Sequence, residues 1–90
     1  MLNKYDFHGK SAKETKLELI SILETLINNN FSNSIEIVFG RGLHSIDNKP
    51  ILIHVVIRVV KKYKKIGYIK KYFLRKRTLG GSMIVSLCNQ

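Results

Sequence analysis

The sequence predicts an α/β fold: a two-layer α/β sandwich of order βαβαββ, with two helices packed on one face of a four-stranded mixed sheet. Three observations carry that expectation. A capping box, Ser11 to Glu14, opens a long stripe of apolar residues at helical spacing. A second stripe of the same period follows Pro50. Short β-branched or aromatic runs, bounded by glycine or asparagine, precede, separate and follow the two stripes.

Residues 2–8 read as the first strand. In the first helix, Leu19, Ile20, Leu23, Leu26 and Ile27 form the buried stripe, and Asn28, Asn29 and Asn30 stop it, because asparagine tolerates the left-handed conformation at a helix end. Residues 35–39 are apolar enough for a central strand, and 40–47 form a loop. The segment after Pro50 is rich in Ile and Val, so propensity leaves it ambiguous; the period decides. His54, Arg58, Lys61, Lys62 and Lys65 recur every three or four residues, with Ile51, Leu52, Val55, Val56, Val59, Val60 and Tyr63 opposite. A strand would alternate by two. This helix runs to Lys65 and is closed by Gly67. Residues 68–78 form a basic third strand, Gly80-Gly81-Ser82 a turn, and residues 83–87 the last strand. A right-handed crossover makes the first two strands parallel neighbours.

Ninety residues are expected to form one domain. Sixteen Lys and Arg face six Asp and Glu, a formal charge of +10. The first 45 residues are balanced, so the whole excess falls in the second half, where Asp47 is the single acid. That asymmetry points to a polyanionic partner, although a solvated lysine-rich surface would look the same. Cys88 is alone, which excludes an internal disulfide and a cysteine metal site. The longest apolar stretch contains His54 and Arg58 and is too short to span a bilayer. Asn3, Lys4 and Asp6 interrupt any early apolar run, so no secretory leader and a reducing, cytosolic setting are expected.

Two motifs stand where strands give way to turns. In Asp6-Phe7-His8-Gly9, Asp6 and His8 share one side of an extended chain while Phe7 faces the core. A carboxylate beside an imidazole can fix its tautomer and raise its basicity, or share a metal with it; the same residues also suit a plain turn. Gly40-Arg41-Gly42-Leu43-His44-Ser45 follows the second strand. Its glycines allow close backbone approach to an anion, and Arg41 offers a fork for phosphate. It lacks the third glycine and the lysine of nucleotide-binding loops. With the first two strands adjacent, both motifs share one rim. Beyond them, Arg58, Lys61, Lys62 and Lys65 on the second helix continue into Lys70, Lys71, Arg75, Lys76 and Arg77. Tyr63, Tyr68 and Tyr72 are interleaved, available to stack on bases where they are not used in the core.

Together these motifs resemble the Smr domain, the small MutS-related domain, over nearly the whole chain. Asp6-Phe7-His8-Gly9 resembles its Asp-Leu-His-Gly signature, with Phe7 in place of the usual leucine. Gly40-Arg41-Gly42-Leu43-His44-Ser45 is similar to its second motif, with Phe39 where a Thr or His often stands. Gly80-Gly81-Ser82 and the strand after it resemble its closing turn. The resemblance implies a βαβαββ sandwich, nucleic-acid binding and, in several members, endonuclease activity on DNA or on RNA, including messenger RNA on stalled ribosomes. Carried over by position, Asp6 and His8 match the residues implicated in cleavage; His44, from its place in the second motif, is a second acid–base candidate. Gly9, Gly40, Arg41, Gly42 and Ser45 would meet the nucleic acid at the rim, and Arg58, Lys61, Lys62, Lys65, Arg75 and Arg77 beyond it. RNA brings its own nucleophile, the 2′-hydroxyl, and strictly needs no metal. DNA needs an activated water, which makes a divalent cation such as Mg²⁺ the more favoured, though not the required, means of supplying it. A non-catalytic RNA-, DNA- or ribosome-binding module would use the same basic surface.

Overall fold

The computed structural model describes residues 3–40, 51–75 and 81–88. Their elements are β1 (Asn3–Asp6), α1 (Ala12–Asn28), β2 (Ser34–Gly40), α2 (Ile51–Ile66), β3 (Ile69–Arg75) and β4 (Gly81–Leu87). The order is the predicted one. Among the described residues no helix is long and apolar enough to cross a membrane.

Local chemistry sets the helix ends. The Glu14 backbone N–H donates to Ser11 Oγ at 3.1 Å, and the Ser11 N–H donates to Glu14 Oε1 at 2.9 Å, so both halves of the capping box are made. Replacing Ser11 with alanine leaves the Glu14 N–H without that acceptor. It is expected to lower stability by about 1 kcal/mol, read as a lower urea midpoint at unchanged slope. At the far end of α1, Asn30 takes a φ of 58°. The Phe31 N–H then reaches Leu26 O and the Asn30 N–H reaches Ile27 O. α2 closes the same way: Gly67 has a φ of 111°, with Tyr68 N–H on Tyr63 O and Gly67 N–H on Lys64 O. Both are Schellman closures, which satisfy carbonyls that would otherwise lack partners.

The sheet order is β1-β2-β4-β3. β1 runs parallel to β2, and β4 is antiparallel to both β2 and β3. β2 and β3 are therefore parallel to each other. The two helical crossovers step across the sheet in the same direction, so right-handed connections place both helices on one face. Against that face pack Ile35, Ile37 and Phe39 of β2 and Met83, Val85 and Leu87 of β4, covered by Leu19 and Leu23 of α1 and Val56 and Val60 of α2. Tyr63 is also buried there, its hydroxyl donating to Glu24 Oε2 at 2.6 Å. Burial, and then that bond to a carboxylate, push the phenol up to about 12, so it remains a donor.

Both ends of β2 and the end of α2 fall one residue beyond expectation, and three other boundaries differ as well. β1 ends at Asp6 rather than His8, because the Asp6 carboxylate takes the His8 N–H away from the ladder. β4 begins at Gly81, so Gly81 and Ser82 are strand and not turn; they pair with Gly40 and Val38 of β2. β3 starts at Ile69 because Tyr68 completes the helix closure, and its predicted extension through Lys76 and Arg77 lies outside the described residues.

β3 carries the irregularity with the largest consequence. Ile69 pairs with Leu87, but Lys71 pairs with Ser86, which leaves Lys70 as an extra residue. A bulge of this kind reverses the in–out alternation. Ile69 and Tyr72 therefore face the helices, while Lys71, Phe73 and Arg75 face the opposite side of the sheet, which among the described residues is helix-free.

Candidate functional site

Asp6 and His8 meet through a turn and not through strand alternation. Asp6 Oδ1 accepts the His8 backbone N–H at 2.9 Å and lies 3.1 Å from His8 Nδ1. An ionised carboxylate only accepts, so Nδ1 carries the proton, and it is in the neutral ring that Nε2, away from Asp6, has a lone pair to offer. Phe7, 2% exposed, is driven into the core between the two and anchors the turn. Its N–H donates to Val38 O at 2.7 Å and its carbonyl accepts from Lys10 N–H at 3.1 Å. Gly9 supplies the positive φ of +80° that the third position of such a turn requires. A Cβ there would meet nothing within 4 Å, so glycine is needed for conformation and not for space. The imidazole is 75% exposed and the carboxylate 52%, a pair presented to solvent and to any approaching ligand.

The His8 backbone N–H holds the Asp6 carboxyl below its ordinary 3.8. Slight burial opposes it, and the ring bond, the charge of a protonated His8 and Lys4 add to the lowering. Glu14 is likewise lowered from 4.5, first by the Ser11 N–H. A depressed folded-state value stabilises above the unfolded value and is lost as pH falls through the folded one. Stability is therefore expected to decline below about pH 4.5. In urea titrations from neutral pH to about pH 3, the gap between the parent and Asp6→Asn should narrow; parallel curves would rule out the linkage.

Parallel pairing puts the exit of β1 beside that of β2. Asp6 is in register with Val38, two residues before Gly40. The expected adjacency of the two strand exits is met up to Gly40. Arg41, Gly42, His44 and Ser45, and with them the rest of the second motif, lie outside the described residues, as does Arg77.

Asp6 also belongs to the helix-free face. Across the sheet the register aligns Asp6, Val38, Ser82 and Arg75 in one row, and Lys4, Glu36, Ile84 and Phe73 in the next. Paired residues point to the same side. Glu36 is only 5% exposed, although among the described residues no helix lies over it. Its Oε2 accepts from Ser82 Oγ at 2.9 Å and lies 3.4 Å from Arg75 Nη1. A buried acid thus steadies an arginine whose guanidinium has further donors to offer.

The predicted basic surface is divided by this arrangement. Arg58, Lys61, Lys62 and Lys65 are exposed on α2, in the helical layer. Lys71 and Arg75 stand on the other side of the sheet, with Asp6. The tyrosines are spent on packing: Tyr63 is buried, and Tyr68 and Tyr72 are half-buried against the core. The exposed aromatic is Phe73, at 51%, which the sequence reading passed over. Its signal was its place between Lys71 and Arg75 at alternating positions, legible only once the bulge is known. Among the described residues no group of three or more His, Cys, Asp or Glu is gathered to hold a metal ion.

No protein-family model matches the chain, and no curated protein matches it either. Among solved structures it is similar to the Smr domain of Thermus thermophilus MutS2, with a TM-score of 0.73 at 17% identity, covering 96% of this chain and 98% of that one. The chain therefore has the fold seen in that domain.

Proposed function

We propose that this chain is a nucleic-acid-binding domain of Smr type that cleaves RNA, with DNA the less favoured substrate. The observation that carries the reading is the His8 imidazole tied to the Asp6 carboxylate at 3.1 Å, exposed at a strand exit. The shared fold, the two motifs in order and the +10 charge support it. In the proposed reaction His8 Nε2 takes the proton of a ribose 2′-hydroxyl. That oxygen bonds to the adjacent phosphorus, the P–O5′ bond breaks, and O5′ takes a proton from water or from His44. The products are a 2′,3′-cyclic phosphate and a 5′-hydroxyl. Asp6 fixes the tautomer and stabilises the imidazolium formed. Gly40, Arg41 and Gly42 would hold the phosphate, with Gly9 and Ser45 beside them, and the α2 cations would add affinity without sequence preference.

The test is incubation of end-labelled RNA and DNA with parent and His8→Ala protein, with and without chelator. RNA cleavage that survives chelator, ends in cyclic phosphate and is lost in His8→Ala is the expected result. Equal activity in the variant would mean a contaminant. No cleavage by the parent of either nucleic acid would leave a binding module.

A further inference from the structure

We propose that the helix-free face of the sheet is a platform for single-stranded RNA, with Phe73 as its base-stacking residue and Lys71 and Arg75 as its phosphate contacts. The inference rests on the nucleic-acid reading above and adds where the strand lies. Phe73 is 51% exposed, on a face that no helix among the described residues covers, in register with the buried Ile84. An aromatic ring held half out of a sheet by a packed neighbour presents a flat apolar surface to a base. Lys71 and Arg75 flank it on the same strand and the same face, about 6–7 Å away on either side. A ring between two cations matches a nucleic-acid strand, which alternates flat bases with phosphates.

Charge selects that occupant. Among the described residues the face carries Lys4, Lys71 and Arg75, with Asp6 and Glu36 as its acids. Glu36 is turned inward on Ser82 and Arg75, where it orients the guanidinium instead of repelling a phosphate. The face also leads to the cleavage pair. Arg75, Ser82, Val38 and Asp6 form a row across the sheet, three strand spacings or about 14 Å long. A strand stacked on Phe73 and crossing along that row arrives at His8. RNA is the single strand chosen, because its 2′-hydroxyl is the nucleophile that an acid–base pair alone can activate.

Binding is measured in the His8→Ala background, so the probe stays intact and the result is independent of cleavage. The probes are a short fluorescein-labelled RNA single strand, the same strand annealed to its complement, and the matching DNA single strand. Phe73→Ala should weaken the RNA single strand by roughly 5- to 150-fold and leave the duplex unchanged. Phe73→Leu should bind as weakly as Phe73→Ala, and Phe73→Trp as tightly as phenylalanine. Arg75→Ala should reduce the salt slope by about 0.7. Unchanged single-strand binding in Phe73→Ala, equal losses on strand and duplex, or full binding by Phe73→Leu would each overturn the platform. DNA bound more tightly than RNA would overturn the choice of strand. A dimer in sedimentation that Phe73→Ala dissolves would assign the face to a second copy of this chain instead. Absence of cleavage alongside Phe73-dependent binding would sink the catalytic proposal and leave the platform standing.

Discussion

Phe7→Ala is expected to lose about 3–5 kcal/mol of folding stability. The side chain is 2% exposed and sits in the core under the helices. A domain of 90 residues has roughly 5–13 kcal/mol in total, so this one truncation consumes a large share. The loss has two parts, the transfer of the ring to water and the cavity its neighbours cannot close. Phe7→Leu keeps a branched apolar side chain and should lose less than about half as much. Urea denaturation of the three proteins measures the difference. The residue also lies between Asp6 and His8, and its backbone bonds to Val38 and Lys10 hold the turn. Loosening it should lower activity even in the molecules that remain folded. A Phe7→Ala protein as stable as the parent would show that the ring is not the wedge that shapes this corner.

Under the proposed reaction, His8→Ala is expected to reduce RNA cleavage by roughly 10²- to 10⁴-fold, the usual contribution of a positioned acid–base group. The effect should fall on kcat and leave KM almost unchanged, since the imidazole is a small exposed group beside a far larger basic surface. Folding offers no alternative explanation. The alanine keeps the backbone N–H that donates to Asp6, and a ring that is 75% exposed contributes little packing; the stability change should stay within about 0.5 kcal/mol. Asp6→Asn should lose less activity than His8→Ala, because the imidazole remains and only its tautomer and the charge opposite it are disturbed. Single-turnover rates with denaturation midpoints separate these cases. A reduced rate with an equally reduced stability would return both residues to a structural role.

The element order, both helices and both helix closures were legible in the sequence because each rests on contacts within a few residues. The Ser11 and Glu14 capping box, the asparagines after α1 and Gly67 after α2 satisfy backbone groups of their own helix. The three- and four-residue period of the α2 segment outweighed its Ile and Val content because that period puts Val56, Val60 and Tyr63 on one buried side. The Asp6 and His8 pair was legible too, though for an incomplete reason. Alternation along an extended strand was expected to bring them together; the carboxylate does so by capturing the backbone of His8.

The sequence by itself determined the period of each segment, the residues that start and stop it, and the charge of the whole. Those follow from side-chain size, capping chemistry and spacing along one chain. Which side of the sheet each β3 residue faces was decided only by the tertiary structure. One extra residue, Lys70, reverses the alternation, and only pairing with β4 reveals it. The same pairing buries Glu36 beside Arg75, turns Tyr72 toward the helices and Phe73 outward, and separates the cations of α2 from those of β3. These relations join residues on different strands and helices, and local spacing carries no term for them.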